Sequence, residues 1–186
     1  NAARETQMRA PPGTRDTLAR LMALRPTPTG VSATKLHLSD LTARGGREAV
    51  DEIFPDPRFI RILRGNLLKQ AVSISMAQQT GVWISGQKGS GATPRYSYGT
   101  VRHNLSALAV DNAMWDVTLT GRKVLTVEFA QAASDTGQVL QGIARFAGLD
   151  LDPARVPETP PTTAQATGLS DDWVARYRAR GRPERE

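Results

Sequence analysis

The apolar and polar positions of the chain follow two different periods. Short alternating or continuous apolar runs predict β-strands, and longer stretches with an apolar residue every three or four positions predict α-helices. The predicted strands are 31–38, 58–63 and 123–129, and the predicted helices are 41–54, 66–80, 101–119, 136–146 and 170–180. Because strands and helices follow one another along the chain, we expect an α/β fold with a parallel sheet flanked by helices.

Three segments depart from this pattern. Residues 1–30 are polar and irregular, with several prolines and one short amphipathic helix predicted over 14–24. Residues 85–99 concentrate glycine, serine, lysine and tyrosine, which predicts a flexible surface loop able to cover a site. Residues 151–186 begin as a proline- and threonine-rich tail and end in a charged helix. We expect residues 1–186 to form a single domain.

The composition limits the chemistry. The 186 residues include no cysteine and two histidines, so disulfides and thiolate metal sites are excluded and we expect no metal. The apolar runs are far shorter than the roughly 20 residues of a membrane-spanning helix, which predicts a cytoplasmic protein. A net charge of +6 favours an anionic partner, either nucleic acid, a membrane surface or a phosphorylated small molecule. Because a basic groove with interleaved aromatics is lacking, we predict no nucleic-acid partner.

The segment after the second predicted strand carries the most specific chemistry. Arg64 follows strand 58–63, and the ligands of open α/β sheets bind outside the carboxyl ends of the strands. Ser73 lies about two turns into the next helix, whose first amides and positive dipole end face the same crevice. A guanidinium fork and a hydroxyl suit the 3′-phosphate of an adenosine nucleotide. The alternative is a surface salt bridge at Arg64 and a buried helix hydroxyl at Ser73.

Longer patterns in the sequence carry a family resemblance. The segment that follows Arg64 contains Gln-Ala-Val-Ser at 70–73 and Gln-Thr-Gly-Val-Trp at 79–83. Further patches at 30–36, 124–129 and 169–177 agree in order along the chain. Together these patterns resemble the bacterial trehalose 2-sulfotransferase and lipopolysaccharide (NodH-like) sulfotransferase family over about 30–180.

The resemblance implies a fold, a reaction and a binding site. It implies a P-loop NTPase-like sheet in which Arg64 and Ser73 bind the 3′-phosphate of 3′-phosphoadenosine-5′-phosphosulfate (PAPS). The reaction implied is the transfer of a sulfuryl group to a hydroxyl of trehalose, a glycolipid or a lipopolysaccharide-type glycan, by a homodimer and without a metal. Sulfotransferases often place the arginine eight residues before the serine, whereas here the separation is nine and Gly65 occupies the eighth place.

One part of the family pattern is absent from the sequence. Family members begin with a strand, a phosphosulfate-binding loop resembling Pro-Arg-Ser-Gly-Ser/Thr, and a segment whose glutamate is the expected catalytic base. Residues 1–30 contain nothing similar. We therefore expect the chain to begin partway through a longer protein, with the catalytic base upstream of Asn1. The alternative is a non-catalytic sulfotransferase-like module that binds a partner or dimerises.

The remaining candidates each have an ordinary structural alternative. Lys35 and His37 lie on the first predicted strand, Lys35 as a secondary catalytic candidate beside the leaving group and His37 as a candidate sugar contact. Either residue is otherwise a solvent-exposed or packed side chain. Trp83 is a candidate sugar platform, with core packing as the alternative. Trp173 and Tyr177, one helical turn apart, are expected to dock the last helix on the core.

Overall fold

The structure, a computed structural model, describes residues 30–43, 50–51, 54, 56–84, 86–156 and 168–180. Its strands β1 (Arg58–Leu63) and β2 (Lys123–Glu128) pair in a small parallel sheet. The described α-helices are α1 (Leu38–Ala43), α2 (Leu67–Thr80), α3 (Tyr98–Thr118), α4 (Phe129–Ser134), α5 (Thr136–Ala147) and α6 (Gly168–Arg180), and a 3₁₀ turn spans Pro153–Arg155. The predicted α/β class, a parallel sheet flanked by helices, is therefore confirmed.

The chain divides into two compact units. The first combines Asn1–Pro57 with Met114–Lys123, and the second combines Arg58–Ala113 with Val124–Glu186. The prediction of a single domain over 1–186 stays a prediction. The predicted irregular segment 1–30 and helix 14–24 lie outside the described residues apart from Gly30, as does part of the predicted tail after residue 156.

The first unit differs from the sequence prediction where a strand was expected. Residues 31–37 form no strand, and α1 begins at Leu38. The Asp40 carboxylate accepts a hydrogen bond from the His37 backbone N–H at 3.1 Å, and the His37 carbonyl accepts one from the Leu41 N–H at 3.1 Å. A local side-chain cap of this kind competes with strand pairing. The predicted strand 31–38 is therefore wrong, and Lys35 and His37 are not strand residues.

The described part of the first unit contains three buried apolar side chains and two ion pairs. Its buried apolar side chains are Leu41, Val50 and Leu119. Arg122 donates to the Asp51 carboxylate, and Lys123 Nζ lies 2.8 Å from Asp56 Oδ2. Helical backbone is described at 38–43 and 50–51, and the remaining part of the predicted helix 41–54 falls mostly outside the described residues.

The core of the second unit lies where α2, α3 and α6 meet. The buried residues of this core are Ala71, Val72, Val101, Trp173 and Val174. Tyr177 packs against the same cluster from the next turn of α6. The predicted docking of the last helix through Trp173 and Tyr177 is confirmed.

Local signals set both ends of α2. Asn66 Oδ1 accepts a hydrogen bond from the Lys69 backbone N–H at 2.9 Å, which satisfies one of the amides that lack a partner at the start of a helix. At the other end Gly81 has a φ of 72°, and its N–H donates to the Ala77 carbonyl at 2.8 Å. A residue with a side chain rarely adopts that conformation, so glycine ends the helix at this position. The predicted cap and helix over 66–80 are confirmed.

Two arginines tie β1 to the helices of the second unit. Arg58 donates from Nη1 to the Phe146 carbonyl of α5 at 2.5 Å, and Arg61 donates from Nη2 to the Asn112 carbonyl of α3 at 2.9 Å. Successive side chains of a strand point to opposite faces, and Ile60 and Ile62, which share a face with Arg58, are exposed. Phe59, Arg61 and Leu63 on the opposite face are partly buried.

Candidate functional site

Residues at the ends of β1 and β2 meet at one edge of the sheet. Arg64 and Gly65 follow β1, Glu128 ends β2, and Phe129 begins α4. The Cζ atom of Arg64 lies 4.1 Å from the centroid of the Phe129 ring. Glu128 Oε2 lies 3.7 Å from the position that a Cβ atom on Gly65 would occupy. We call Arg64, Gly65, Glu128 and Phe129 the carboxyl edge, where ligands of parallel α/β sheets bind.

The Arg64 guanidinium is available to an anion. The side chain is exposed, and among the described residues its contact is the face of the Phe129 ring rather than a hydrogen bond or an ion pair. The surface salt bridge considered as an alternative for Arg64 therefore has no carboxylate within the described part of the chain. A guanidinium that stacks through its face keeps its edge N–H groups free for a bidentate acceptor.

The first turn of α2 contributes further donors beside Arg64. Because Asn66 caps the Lys69 amide, the amides of Leu67 and Leu68 are left without an acceptor in the described part of the helix. Glu128 precedes α4, but its side chain makes no capping hydrogen bond there. The edge therefore combines one guanidinium, free helix amides and one carboxylate.

Two nearby serines of α2 have opposite environments. Ser73 is exposed, and its hydroxyl makes no hydrogen bond to any described residue. Ser75 is fully buried, donates to the Ala71 carbonyl at 2.7 Å and accepts from Asn104 Nδ2 at 2.8 Å. The alternative of a buried helix hydroxyl is thus wrong for Ser73 and describes Ser75 instead. No hydrogen bond joins Arg64 to Ser73, and their joint binding of a phosphate stays a prediction.

Trp83 is exposed in the segment after α2. Its side chain is 57% exposed, so the alternative of core packing is wrong, and its role as a sugar platform stays a prediction. The Trp83 backbone N–H donates to Gln87 Oε1 at 2.9 Å. The side-chain amide of Gln79 donates to the Arg95 carbonyl at 3.1 Å and accepts from the Arg95 N–H at 2.8 Å. These bonds hold parts of the loop, whose predicted flexibility stays a prediction.

The other predicted site residues lie in the first unit. Lys35 and His37 are both exposed, on the non-helical segment before α1. Their proposed roles in catalysis and sugar binding stay predictions. Within the described residues, no group of three or more His, Asp and Glu side chains is close enough to hold a metal ion. Among the helices described, none has the length and apolarity needed to cross a membrane.

Aromatic and basic side chains form a second group beside α6. Tyr96 meets Trp173 edge to face with ring centroids 5.6 Å apart, and Tyr98 stacks on Tyr177 at 4.8 Å. Burial raises the pKa of Tyr96, and the positive charge of Arg180 opposes that shift. Burial also raises the pKa of Tyr177, with the neighbouring Tyr98 adding to the shift. Sequence reasoning did not single out Tyr96 or Tyr98, whose ring pairings depend on tertiary contacts.

Comparison with known proteins defines the family. The Stf0 sulphotransferase family matches residues 19–180, and the chain therefore belongs to the Stf0 sulphotransferase family. The chain is also similar to a trehalose 2-sulfotransferase of Mycolicibacterium smegmatis, with 30% identity over 156 residues. That match covers 82% of this chain and 57% of the relative, so the chain spans somewhat more than half the length of the curated relative. The family suggested by the sequence patterns is confirmed.

Proposed function

We propose that the full-length protein is a PAPS-dependent sulfotransferase that transfers a sulfuryl group to a carbohydrate hydroxyl. The observation that carries the proposal is the Arg64 guanidinium, which is unpaired among the described residues and lies at the carboxyl edge of a chain that belongs to the Stf0 sulphotransferase family. Trehalose is the first acceptor to test, because a trehalose 2-sulfotransferase is 30% identical to this chain. A glycolipid or a lipopolysaccharide-type glycan is the other acceptor class.

The hydrogen-bond donors near the carboxyl edge fit the 3′-phosphate of PAPS. The guanidinium fork of Arg64 matches two phosphate oxygens, and the free amides of Leu67 and Leu68 lie at the positive end of the α2 dipole. The exposed Ser73 hydroxyl supplies one more donor on the same helix. These groups would bind and orient the nucleotide, and positioning of this kind supplies a large part of the rate in group transfer.

The transfer itself forms one bond and breaks one. The acceptor hydroxyl oxygen forms a bond to sulfur while the bond between sulfur and the bridging oxygen of the 5′-phosphate breaks. The products are a sugar sulfate ester and adenosine 3′,5′-bisphosphate. The hydroxyl proton passes to a base. We assign Lys35 to charge stabilisation on the leaving phosphate, and Trp83 and His37 to the sugar.

The remaining expectations belong to the same proposal. We propose a P-loop-like sheet for the full-length protein, which the exposed Ile60 and Ile62 support, because an apolar strand face is normally covered. A homodimer is the state that the resemblance implies, and a cytoplasmic location is what the short apolar runs of the sequence predict. Sedimentation of the full-length protein at several concentrations tests the dimer, and a monomer at all of them would reject it.

Calorimetric titration with adenosine 3′,5′-bisphosphate tests the binding site on the full-length protein. Replacement of Arg64 by alanine should weaken binding roughly 10- to 100-fold, because hydrogen bonds to charged groups contribute about 1.5–3 kcal/mol. Ser73→Ala should weaken it about 2- to 10-fold. Arg178→Ala is the control, since it removes an exposed arginine from α6. If the Arg64 and Arg178 variants bind alike, the assignment of Arg64 is wrong.

Product analysis separates the enzyme from the non-catalytic module. The full-length protein is incubated with PAPS and trehalose, and the sulfate ester is measured by mass spectrometry. Formation of trehalose sulfate that depends on Arg64 supports the proposal. Nucleotide binding without transfer to trehalose or to the glycan acceptors would favour the non-catalytic module.

A further inference from the structure

The contact between Arg64 and Phe129 joins two positions that are far apart in the sequence. Each residue is the first after a strand of the sheet, and the two strands are neighbours and parallel. Phe129 is 43% exposed, which is unusual for so large an apolar ring at the start of a helix. The covered part of the ring includes the face over which the Arg64 Cζ atom lies at 4.1 Å.

The stacked arrangement leaves the Arg64 guanidinium close to a carboxylate without an ion pair to any described residue. Glu128 is the residue next to Phe129, and its Oε2 atom lies close to Gly65, the residue next to Arg64. Arg64 nevertheless makes no ion pair with Glu128 or with any other carboxylate of the described residues. Stacking on an aromatic ring gives a guanidinium a favourable contact that does not use its N–H donors. Those donors remain available to a bound anion.

We propose that Phe129 is a positioning residue that holds the Arg64 guanidinium ready for the 3′-phosphate. This inference rests on the proposed function, because it assigns Arg64 to that phosphate. A free arginine side chain loses part of its rotamer entropy when it binds a phosphate. A ring that already restricts the guanidinium reduces that loss at the moment of binding, as preorganisation does in general. Phe129 therefore acts through Arg64.

The test compares two nucleotides that differ in the 3′-phosphate. Phe129→Leu keeps the apolar character and removes the aromatic face, and Phe129→Trp restores an aromatic face. We expect Phe129→Leu to weaken binding of adenosine 3′,5′-bisphosphate about two- to fivefold, the factor that corresponds to an exposed cation–π contact. Binding of adenosine 5′-monophosphate should not change, and Phe129→Trp should bind both nucleotides like the wild type. Leu169→Ala, at a side chain that is 40% exposed, is the matched control and should change neither affinity.

A double-mutant cycle shows whether Phe129 acts through Arg64. In the Arg64→Ala background, Phe129→Leu should have no further effect on binding of the bisphosphate. An undiminished effect in that background, or an equal loss of affinity for both nucleotides, would mean that Phe129 contacts the nucleotide itself and would overturn the proposal.

A measurement on the ligand-free protein separates this proposal from the proposed function. The Nε–H proton of Arg64 should resonate upfield in the wild type because the Cζ atom bonded to Nε lies over the Phe129 ring, and should return to its usual position in Phe129→Leu. If that shift is absent, the positioning role is wrong whatever the nucleotide does. If the shift is present but wild type and Arg64→Ala bind the bisphosphate equally well, the assignment of the phosphate site is wrong, and the positioning role for that phosphate is rejected with it.

Discussion

The second unit contains two regions that differ in almost every physical respect. In the helical core, formed by α2, α3 and α6, Trp173 is 2% exposed and lies among other buried apolar side chains. At the carboxyl edge, Arg64, Gly65, Glu128 and Phe129 are all exposed, and Arg64 has no hydrogen-bond partner in the described part of the chain. The same helix, α2, adjoins both regions, since its buried face carries Ala71 and Val72 and it begins two residues after Gly65.

The helical core has the features that stabilise a fold, whereas the carboxyl edge has the features that bind an anion. Burial of apolar area stabilises a fold without regard to direction, whereas anion binding needs donors that are not already paired. Ser73 and Ser75 show this within one helix, because the buried Ser75 hydroxyl both donates and accepts a hydrogen bond, whereas the exposed Ser73 hydroxyl has no partner among the described residues. We therefore expect substitutions in the helical core to change unfolding, and substitutions at the carboxyl edge to change nucleotide affinity.

The largest expected effect is the difference in unfolding free energy between alanine variants of the two tryptophans of this unit. Trp173→Ala should lower the free energy of unfolding by about 3–5 kcal/mol, because it leaves a large cavity in the helical core. Trp83→Ala should change it by less than about 0.5 kcal/mol, since that side chain is 57% exposed. Urea unfolding followed by circular dichroism measures both. Trp173→Phe, which leaves a smaller cavity, keeps the comparison possible if the alanine variant does not fold.

Similar losses for the two tryptophan variants would contradict this division of the unit. A large loss at Trp83 would mean that its side chain is buried in the protein in solution. An unchanged stability of Trp173→Ala would mean that the helical core does not hold α6.

A smaller effect is expected from the buried polar contact between α2 and α3. Asn104 is 6% exposed, donates to Ser75 Oγ at 2.8 Å and to Gln78 Oε1 at 3.1 Å. Asn104→Ala removes both bonds and leaves a buried hydroxyl acceptor without a donor, which should cost about 1–3 kcal/mol of unfolding free energy. The measurement is again urea unfolding.

Ser106→Ala is the control for Asn104, because Ser106 is exposed on the same helix. It should change the unfolding free energy by less than about 0.5 kcal/mol. Nucleotide affinity of the folded Asn104 variant should equal that of the wild type. A marked loss of affinity would show that the helical core and the carboxyl edge are coupled through α2, and would break the comparison between the two regions.

The parts of the fold that the sequence predicted well are those decided by local signals. Asn66 caps α2 and Gly81 ends it, and both residues have a strong conformational preference of their own. The strand 58–63 has clear boundaries, with Pro57 before it and Gly65 shortly after. The docking of α6 through Trp173 and Tyr177 followed from their spacing, because residues four apart lie on one helix face.

The parts that were missed depend on contacts between distant residues or on competition between local structures. Residues 31–38 alternate like a strand, but the Asp40 carboxylate and the His37 backbone form a helix start instead. Phe129 was not recognised as a site residue, because only the pairing of β1 with β2 brings it to Arg64. A useful signal was nevertheless present, since Arg64 directly follows one predicted strand and Phe129 is the last residue of another. Periodicity alone also did not show which of Ser73 and Ser75 is buried.

The smallest expected effect concerns a buried hydroxyl group in the helical core. The Tyr96 hydroxyl is buried and has no hydrogen-bond partner among the described residues, although its ring packs well against Trp173. Tyr96→Phe keeps the ring and removes the unpaired group, so it should raise the unfolding free energy by up to about 1 kcal/mol. The expected rise in the melting temperature is about 2–4 °C. A lower melting temperature would mean that the hydroxyl has a partner in solution.

The same variant should change the stability of the protein in alkali. Burial raises the pKa of Tyr96 above its ordinary 10.0, so above about pH 10 the unfolded chain loses this proton before the folded protein does. Ionisation of Tyr96 therefore costs no stability below about pH 10, and the free energy of unfolding falls as the pH rises through the folded pKa. Tyr96→Phe should show a shallower loss of stability above about pH 10 in melting scans, where the tyrosine of the unfolded chain titrates. Tyr177, whose pKa is also raised, keeps part of the slope in the variant. If stability fell equally steeply with pH in the wild type and the variant, Tyr96 would be solvated in the folded state and would not belong to the helical core.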